Sequence, residues 1–181
     1  MSIRVGINGF GRIGRNFFRA QQSLGADVEI VAVNDLGDAA TMAHLLKYDS
    51  VLGQLPEKIS ATSRSIRVGK DSIKVLQKRN PSELPWGDLG VDVVIESTGI
   101  FNTRDQAALH LAGGAPMVIV SAPCTGADAT FVYGVNHDDF RISKHKVVSN
   151  ASCTTNCFVP LVKVLDDAFG VVQGMMTTVH A

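Results

Sequence analysis

Cys153 stands at the mouth of a helix-periodic apolar run, in the segment Ser149-Asn150-Ala151-Ser152-Cys153-Thr154-Thr155-Asn156-Cys157. A thiol at a helix N-terminus lies in the field of free N–H groups, which favours the nucleophilic thiolate. A cysteine with a histidine elsewhere in the chain is a general nucleophile pattern, and spacing alone leaves His44, His110, His137, His145 and His180 all open as its partner. Two blander readings compete. Cysteine is among the most buried residue types and is commonly an inert core thiol. Cys153 and Cys157 share one side of a helix as metal ligands do, but a closed zinc site needs four ligands and this region offers two, so no metal is expected.

The second chemistry-bearing pattern is Gly9-Phe10-Gly11-Arg12-Ile13-Gly14, a GxGxxG between an apolar run and a helical one. The first glycine permits a tight turn, the second lets backbone approach a pyrophosphate, and the third lets helix pack on strand. The phosphates would rest on the helix N-terminus, where free N–H groups and the helix dipole favour anions. Asp35 follows Gly14 by 21 residues, the spacing at which a carboxylate accepts from the adenosine ribose 2′-OH. The same carboxylate repels a 2′-phosphate, so NAD is expected over NADP. The competing reading, glycines that merely turn the chain beside a solvated acid, leaves both the context and the spacing unexplained. Ser97-Thr98-Gly99-Ile100-Phe101 follows an apolar run, and ligands dock at strand C-termini in open α/β sheets. Thr98, Gly99 and Phe101 are therefore further candidates for cofactor contact.

The elements that must position these residues alternate. Ile3 to Ile7 reads as a strand, Arg12 to Leu24 as a helix with Ile13, Phe17, Phe18 and Leu24 on one face, and Val28 to Asn34 as a second strand. That is one strand–helix–strand crossover. A helix is expected over Ala39 to Lys47, and a hairpin over Ser65 to Val68 and Ser72 to Gln77. Val91 to Glu96, Met117 to Val120 and Lys146 to Ser149 read as further strands. Thr103 and Gln106 make a capping box for a helix ended by Gly113-Gly114. The alternation predicts an α/β fold of Rossmann type, a doubly wound, mostly parallel sheet. After Asn150 the pattern changes. Phe158, Leu161, Val162, Leu165, Ala168 and Phe169 form an amphipathic helix that Pro160 should kink or delay, and Val171 to Val179 reads as a strand. The expected division is a dinucleotide domain over 1–150 and, over 151–181, the first helix and strand of an incomplete α+β domain in which the chain stops.

Composition narrows the function. Across 181 residues, 17 Lys and Arg balance 17 Asp and Glu, which gives no electrostatic case for nucleic acid or an anionic membrane. No run of about 18 apolar residues spans a membrane, and the arginine-bearing N-terminus lacks the apolar core of a signal peptide. Three cysteines are too few and odd in number for a disulfide framework. A cytoplasmic location is expected, with the Asn150-Ala151-Ser152 sequon silent.

Val5-Gly6-Ile7-Asn8-Gly9-Phe10-Gly11-Arg12-Ile13-Gly14-Arg15 resembles the opening of the phosphorylating glyceraldehyde-3-phosphate dehydrogenases. So do Glu96-Ser97-Thr98-Gly99, Phe131 to Asp139, and above all Ser149 to Cys157. Met175 to Ala181 is similar to the segment carrying that family's catalytic histidine. The resemblance runs through the whole chain, corresponds to the N-terminal half or so of a family member, and is shared by erythrose-4-phosphate dehydrogenases. It implies that Cys153 attacks an aldehyde and that His180 acts as the base. It further implies that Ser152 and Thr154 donate to a phosphate, and that Arg12 and Ile13 present backbone to the pyrophosphate. Arg79, Thr98, Phe101 and Ser121 would line the adenosine and nicotinamide pockets. The implied reactants are glyceraldehyde 3-phosphate, inorganic phosphate and NAD, in a homotetrameric parent. The 181 residues alone are expected to bind NAD weakly and turn over poorly, and a non-catalytic NAD-binding module is the rival reading.

Overall fold

A computed structural model describes residues 2–180. In chain order the elements are β1 (Ile3–Asn8), α1 (Arg12–Leu24), β2 (Val28–Asn34), α2 (Ala39–Lys47), β3 (Tyr48–Asp49), β4 (Gly53–Gln54), β5 (Ile59–Thr62), β6 (Ser65–Val68) and β7 (Asp71–Leu76). They continue with β8 (Val93–Glu96), α3 (Arg104–Ala107), α4 (Leu109–Ala112), β9 (Val118–Val120), β10 (Ala129–Thr130), β11 (Val147–Ser149) and α5 (Cys153–Phe169). Nine strands form one sheet in the order β10-β11-β9-β8-β1-β2-β7-β6-β5. From β10 to β7 every pairing is parallel, whereas β5, β6 and β7 form an antiparallel meander at one edge. The expected mostly parallel α/β sheet is thus present.

Its central strands β1, β2 and β8 are mostly buried because both faces are covered there. Val5, Ile7, Phe18, Leu46, Ile66 and Ile73 pack together where α1 and α2 lie on the sheet. A second cluster gathers Ala32, Leu84, Trp86, Val91, Val94 and Ala115, and a third gathers Ala107, Val118, Val120 and Val147. Trp86 is fully buried against β1 at Gly6, where an added Cβ would lie 2.5 Å from the indole.

α1, β2 and α2 have the expected bounds, and Gly25 closes α1 in the left-handed conformation (φ 59°). Four expectations need correction. Phe18 is buried, but Ile13 and Leu24 are exposed, so the inward stripe of α1 is narrower than its apolar residues imply. The helix after Thr103 is two short ones, because Leu111 N–H bonds Ala108 O (2.9 Å) and tightens the junction to a three-residue step. α5 runs through Pro160 without interruption. Residues 171–180 carry no strand pairing, and Val172, Met175 and Val179 are exposed. A strand needs a neighbouring edge, and among the described residues none meets this segment.

The C-terminal ends of β1, β2, β7 and β8 lie side by side at the centre of the sheet, and this is where the chain's candidate chemistry collects. The close packing there makes a direct prediction. Gly6→Ala drives a methyl group into the Trp86 ring and should cost about 1–3 kcal/mol. Urea unfolding followed by the fluorescence of Trp86, the chain's single tryptophan, should show an earlier midpoint, and an unchanged midpoint would contradict the packing.

Candidate functional site

Asn8, Asn34 and Ser97 end or follow three adjacent strands, and their backbones lock together. Gly9 N–H donates to Asn34 O (2.8 Å) and Ser97 N–H donates to Asn8 O (2.7 Å). Gly9 adopts φ +90°, and a Cβ on it would lie 2.6 Å from Thr98 N. A Cβ on Gly14 would overlap the Gly9 carbonyl oxygen, while one on Gly11 would meet nothing within 4 Å. The three glycines therefore do different work. Gly9 and Gly14 allow the loop to close on β8 and α1, whereas Gly11 leaves open space for a ligand.

That space belongs to a groove of about 420 Å³, lined among others by Gly9, Gly11, Asp35, Arg79, Thr98 and Phe101. Six of the sequence-derived candidates thus meet in one place. Gly14 lies beneath it, and Arg12 and Ile13 are exposed in the first turn of α1. Gly99 is in the left-handed conformation (φ +74°) between Thr98 and Ile100. Ser121 is not among the lining residues of this groove, and its hydroxyl donates to Glu96 O (3.1 Å). Asn8, Asn34, Leu36, Lys78, Ser97 and Ile100 also line the groove and were missed. Their signal was position, since each lies at or just after a strand C-terminus.

The groove fits NAD on three observations. Gly11, the N-cap of α1, offers no side-chain cap, so the first-turn N–H groups are free for phosphate oxygens. Asp35 accepts from Phe10 N–H at one oxygen (2.8 Å) and from Gly37 N–H at the other (3.0 Å). A carboxylate has about four acceptor positions, so two remain for ribose hydroxyls. Ser97 Oγ is buried at the groove without a partner among the described residues.

The nucleophile loop is built separately at the end of β11. Ser149 Oγ donates to Ala122 O (2.7 Å) and accepts from Ala151 N–H (3.0 Å). Ala151 is the only non-glycine residue with positive φ among the described residues (+58°) and is buried, a strained link immediately before the helix. Ser152 caps α5, its Oγ accepting from Thr155 N–H (3.0 Å), which places exposed Cys153 at the first helical position. Asn156, overlooked in the sequence, reaches back with Nδ2 to Asn150 O (2.7 Å) and Ser152 O (2.9 Å) and holds the loop against the helix. Ser152 and Thr155 border a shallow pocket of about 280 Å³ that also touches Cys124, whereas Thr154 is half-buried outside it. His180 is exposed, with its Nε2 3.2 Å from Thr178 Oγ1, and no hydrogen bond joins it to Cys153 among the described residues. No cluster of three or more metal-ligating side chains occurs among those residues, nor a helix long and apolar enough to cross a membrane.

Comparison with known proteins agrees with this geometry. A family model described as the NAD binding domain of glyceraldehyde 3-phosphate dehydrogenase matches residues 3–104, and one described as the C-terminal domain of the same enzyme matches residues 152–181. A glyceraldehyde-3-phosphate dehydrogenase of Streptomyces coelicolor is 62% identical over 181 residues, covering 100% of this chain and 54% of its own length. Counterparts from Mycobacterium avium (59% identical, 100% of this chain and 55% of theirs) and Xanthobacter flavus (57%, 100% and 54%) are similar in extent. The chain spans about half the length of the curated relatives it matches. With the glycine loop, Asp35 and the strand-end groove in place, NAD is the cofactor this domain serves, and the chain belongs to the glyceraldehyde 3-phosphate dehydrogenase family.

Proposed function

We propose that the protein oxidises glyceraldehyde 3-phosphate to 1,3-bisphosphoglycerate in glycolysis, with residues 1–150 as the NAD domain and 151–181 as the opening of the catalytic domain. The observation that carries this reading is the exposed Cys153 thiol at the first turn of a capped helix. Its sulfur adds to the aldehyde carbon, forming a C–S bond, while the former carbonyl oxygen becomes a hydroxyl. His180 is the proposed base for the thiol and for that oxygen. NAD, when bound, supplies the hydride acceptor. Loss of hydride from the carbon leaves a thioester on Cys153, still activated for attack. A phosphate oxygen then adds to the acyl carbon and the C–S bond breaks, returning the thiolate and releasing an acyl phosphate. Ser152 and Thr154 are proposed to donate to phosphate beside the sulfur. In the groove, Asp35 takes the ribose, Arg12 and Ile13 present backbone to the pyrophosphate, and Arg79, Thr98, Phe101 and Ser121 line the rest. Leu161, Val164, Leu165 and Phe169 are exposed along α5, and we propose that the remaining catalytic domain covers them in a cytoplasmic homotetramer.

Two predictions follow from the thiols and the chemistry. Burial, reinforced by the nearby Asp128 carboxylate, pushes the Cys124 thiol above the ordinary range. Less of it is thiolate at neutral pH, so iodoacetamide should modify the exposed Cys153 and Cys157 first and Cys124 only as the pH rises, read by peptide mass spectrometry. Preferential labelling of Cys124 at neutral pH would contradict the arrangement. In the full-length protein, NAD reduction with glyceraldehyde 3-phosphate and phosphate should fall at least about 1,000-fold in Cys153→Ser, while the Kd for NAD stays within about twofold. The 181-residue chain should bind NAD and turn over poorly. Retained turnover in Cys153→Ser would remove the thioester route, and faster turnover with erythrose 4-phosphate would move the substrate.

A further inference from the structure

Glu96 closes β8 with a side chain only 1% exposed, directly beneath the nucleotide groove. Its Oε2 accepts from Asn8 Nδ2 (2.6 Å) and lies 2.9 Å from His110 Nε2, while its Oε1 accepts from Thr98 N–H (2.8 Å) and from Thr98 Oγ1 (2.5 Å). The fully buried His110 ring is oriented from behind, because Trp86 Nε1–H, which can only donate, points at Nδ1 (3.0 Å). Nδ1 is thereby the acceptor, and Nε2 carries the proton that goes to Glu96. From the other side, Asn34 Nδ2 donates to Asn8 Oδ1 (2.7 Å) and to Lys78 O (2.8 Å), and Lys78 N–H donates to Asn34 Oδ1 (2.8 Å). Ile100 N–H donates to Thr98 Oγ1 (3.1 Å).

Four donors, from Asn8, His110 and Thr98, converge on this carboxylate, the one side chain of the network that only accepts, and the remaining bonds hold those donors in place. Asn8, Asn34, Lys78, Thr98 and Ile100 are at once members of the network and walls of the groove. We infer that Glu96 is a positioning residue for the cofactor: it fixes the amide orientations of Asn8 and Asn34 and the conformation of Thr98, and so sets the floor on which the nucleotide lies. It touches the groove through these residues rather than through its own atoms. A glutamine at this position has one acceptor oxygen where two are needed, and its NH₂ group would face two donors whichever way it turned. The inference rests on the nucleotide reading of the groove.

The test compares Glu96→Gln with Ile66→Ala in the 181-residue chain, using NAD titration, thermal unfolding and ring-nitrogen NMR of His110. Ile66→Ala removes part of the core without altering a network or groove-lining residue. It should lower Tm and leave the Kd for NAD within about twofold, whereas Glu96→Gln should raise that Kd at least about tenfold. The wild-type spectrum should show Nε2 protonated and Nδ1 bare. Equal losses of NAD affinity in the two variants would reduce Glu96 to a structural role, and the opposite tautomer would break the network. Should Glu96→Gln not fold, Thr98→Val decides, since it removes the hydroxyl link from the groove side. A Kd raised about threefold supports the inference and an unchanged one overturns it. Failure of the wild-type chain to bind NAD would overturn the nucleotide reading itself, an outcome distinct from wild-type binding that the Glu96 change leaves untouched.

Discussion

At Gly9 the backbone of one loop meets the ends of two strands with no room for a single extra carbon. The constraint fixes much else. Because Gly9 lies against Thr98 N, the glycine loop and the segment after β8 form two sides of one groove. Because Gly14 lies under the Gly9 carbonyl, α1 starts beside Gly11 at that groove, with no side chain capping its first turn. Asp35 completes the closure by accepting from Phe10 N–H, so the residue expected to read the ribose also ties β2 to the loop. Ligand recognition and local stability are thus parts of one arrangement, which is why so few side chains make the site.

The polar layer beneath follows a second constraint, that a buried polar group needs a partner. Asn8, Asn34 and His110 are buried among apolar strands, and each finds its partner across the sheet rather than along the chain. A carboxylate at Glu96 gathers four donors from three segments. Removing the acceptor strands its donors in a medium where an unpaired N–H is costly. The nucleophile loop obeys the same rule on a smaller scale, with Ser149, Ser152 and Asn156 satisfying the groups that the strained turn at Ala151 leaves over.

Legibility in the sequence tracked the range of the interaction. The bounds of α1, β2 and α2, the β6–β7 hairpin and the glycine loop are set within a few residues of themselves, and periodicity and turn chemistry exposed them. β5 and β10 carry no strong pattern and exist because neighbouring strands offer edges. The apolar run over 171–179 had the pattern and lacks the edge. Asn8, Asn34 and Glu96 were hidden for the same reason: Asn8 and Glu96 are 88 positions apart, and nothing local to either marks the bond. At Pro160 a local rule allowed a delayed start, whereas α5 begins at Cys153 and continues through the proline. Cys153 stood out by its place before a helical run, whereas the proposed role of His180 came from family likeness, because five histidines were equal by spacing.

The strand-end groove with Asp35 among its lining residues should distinguish NAD from NADP. The most direct measurement is the dissociation constant of this chain for NAD and for NADP, in the wild type and in Asp35→Asn. Wild type should bind NAD at least about tenfold more tightly than NADP, and losing the charge at Asp35 should collapse that preference. Equal affinities in the wild type, or a preference that survives Asp35→Asn, would contradict the account.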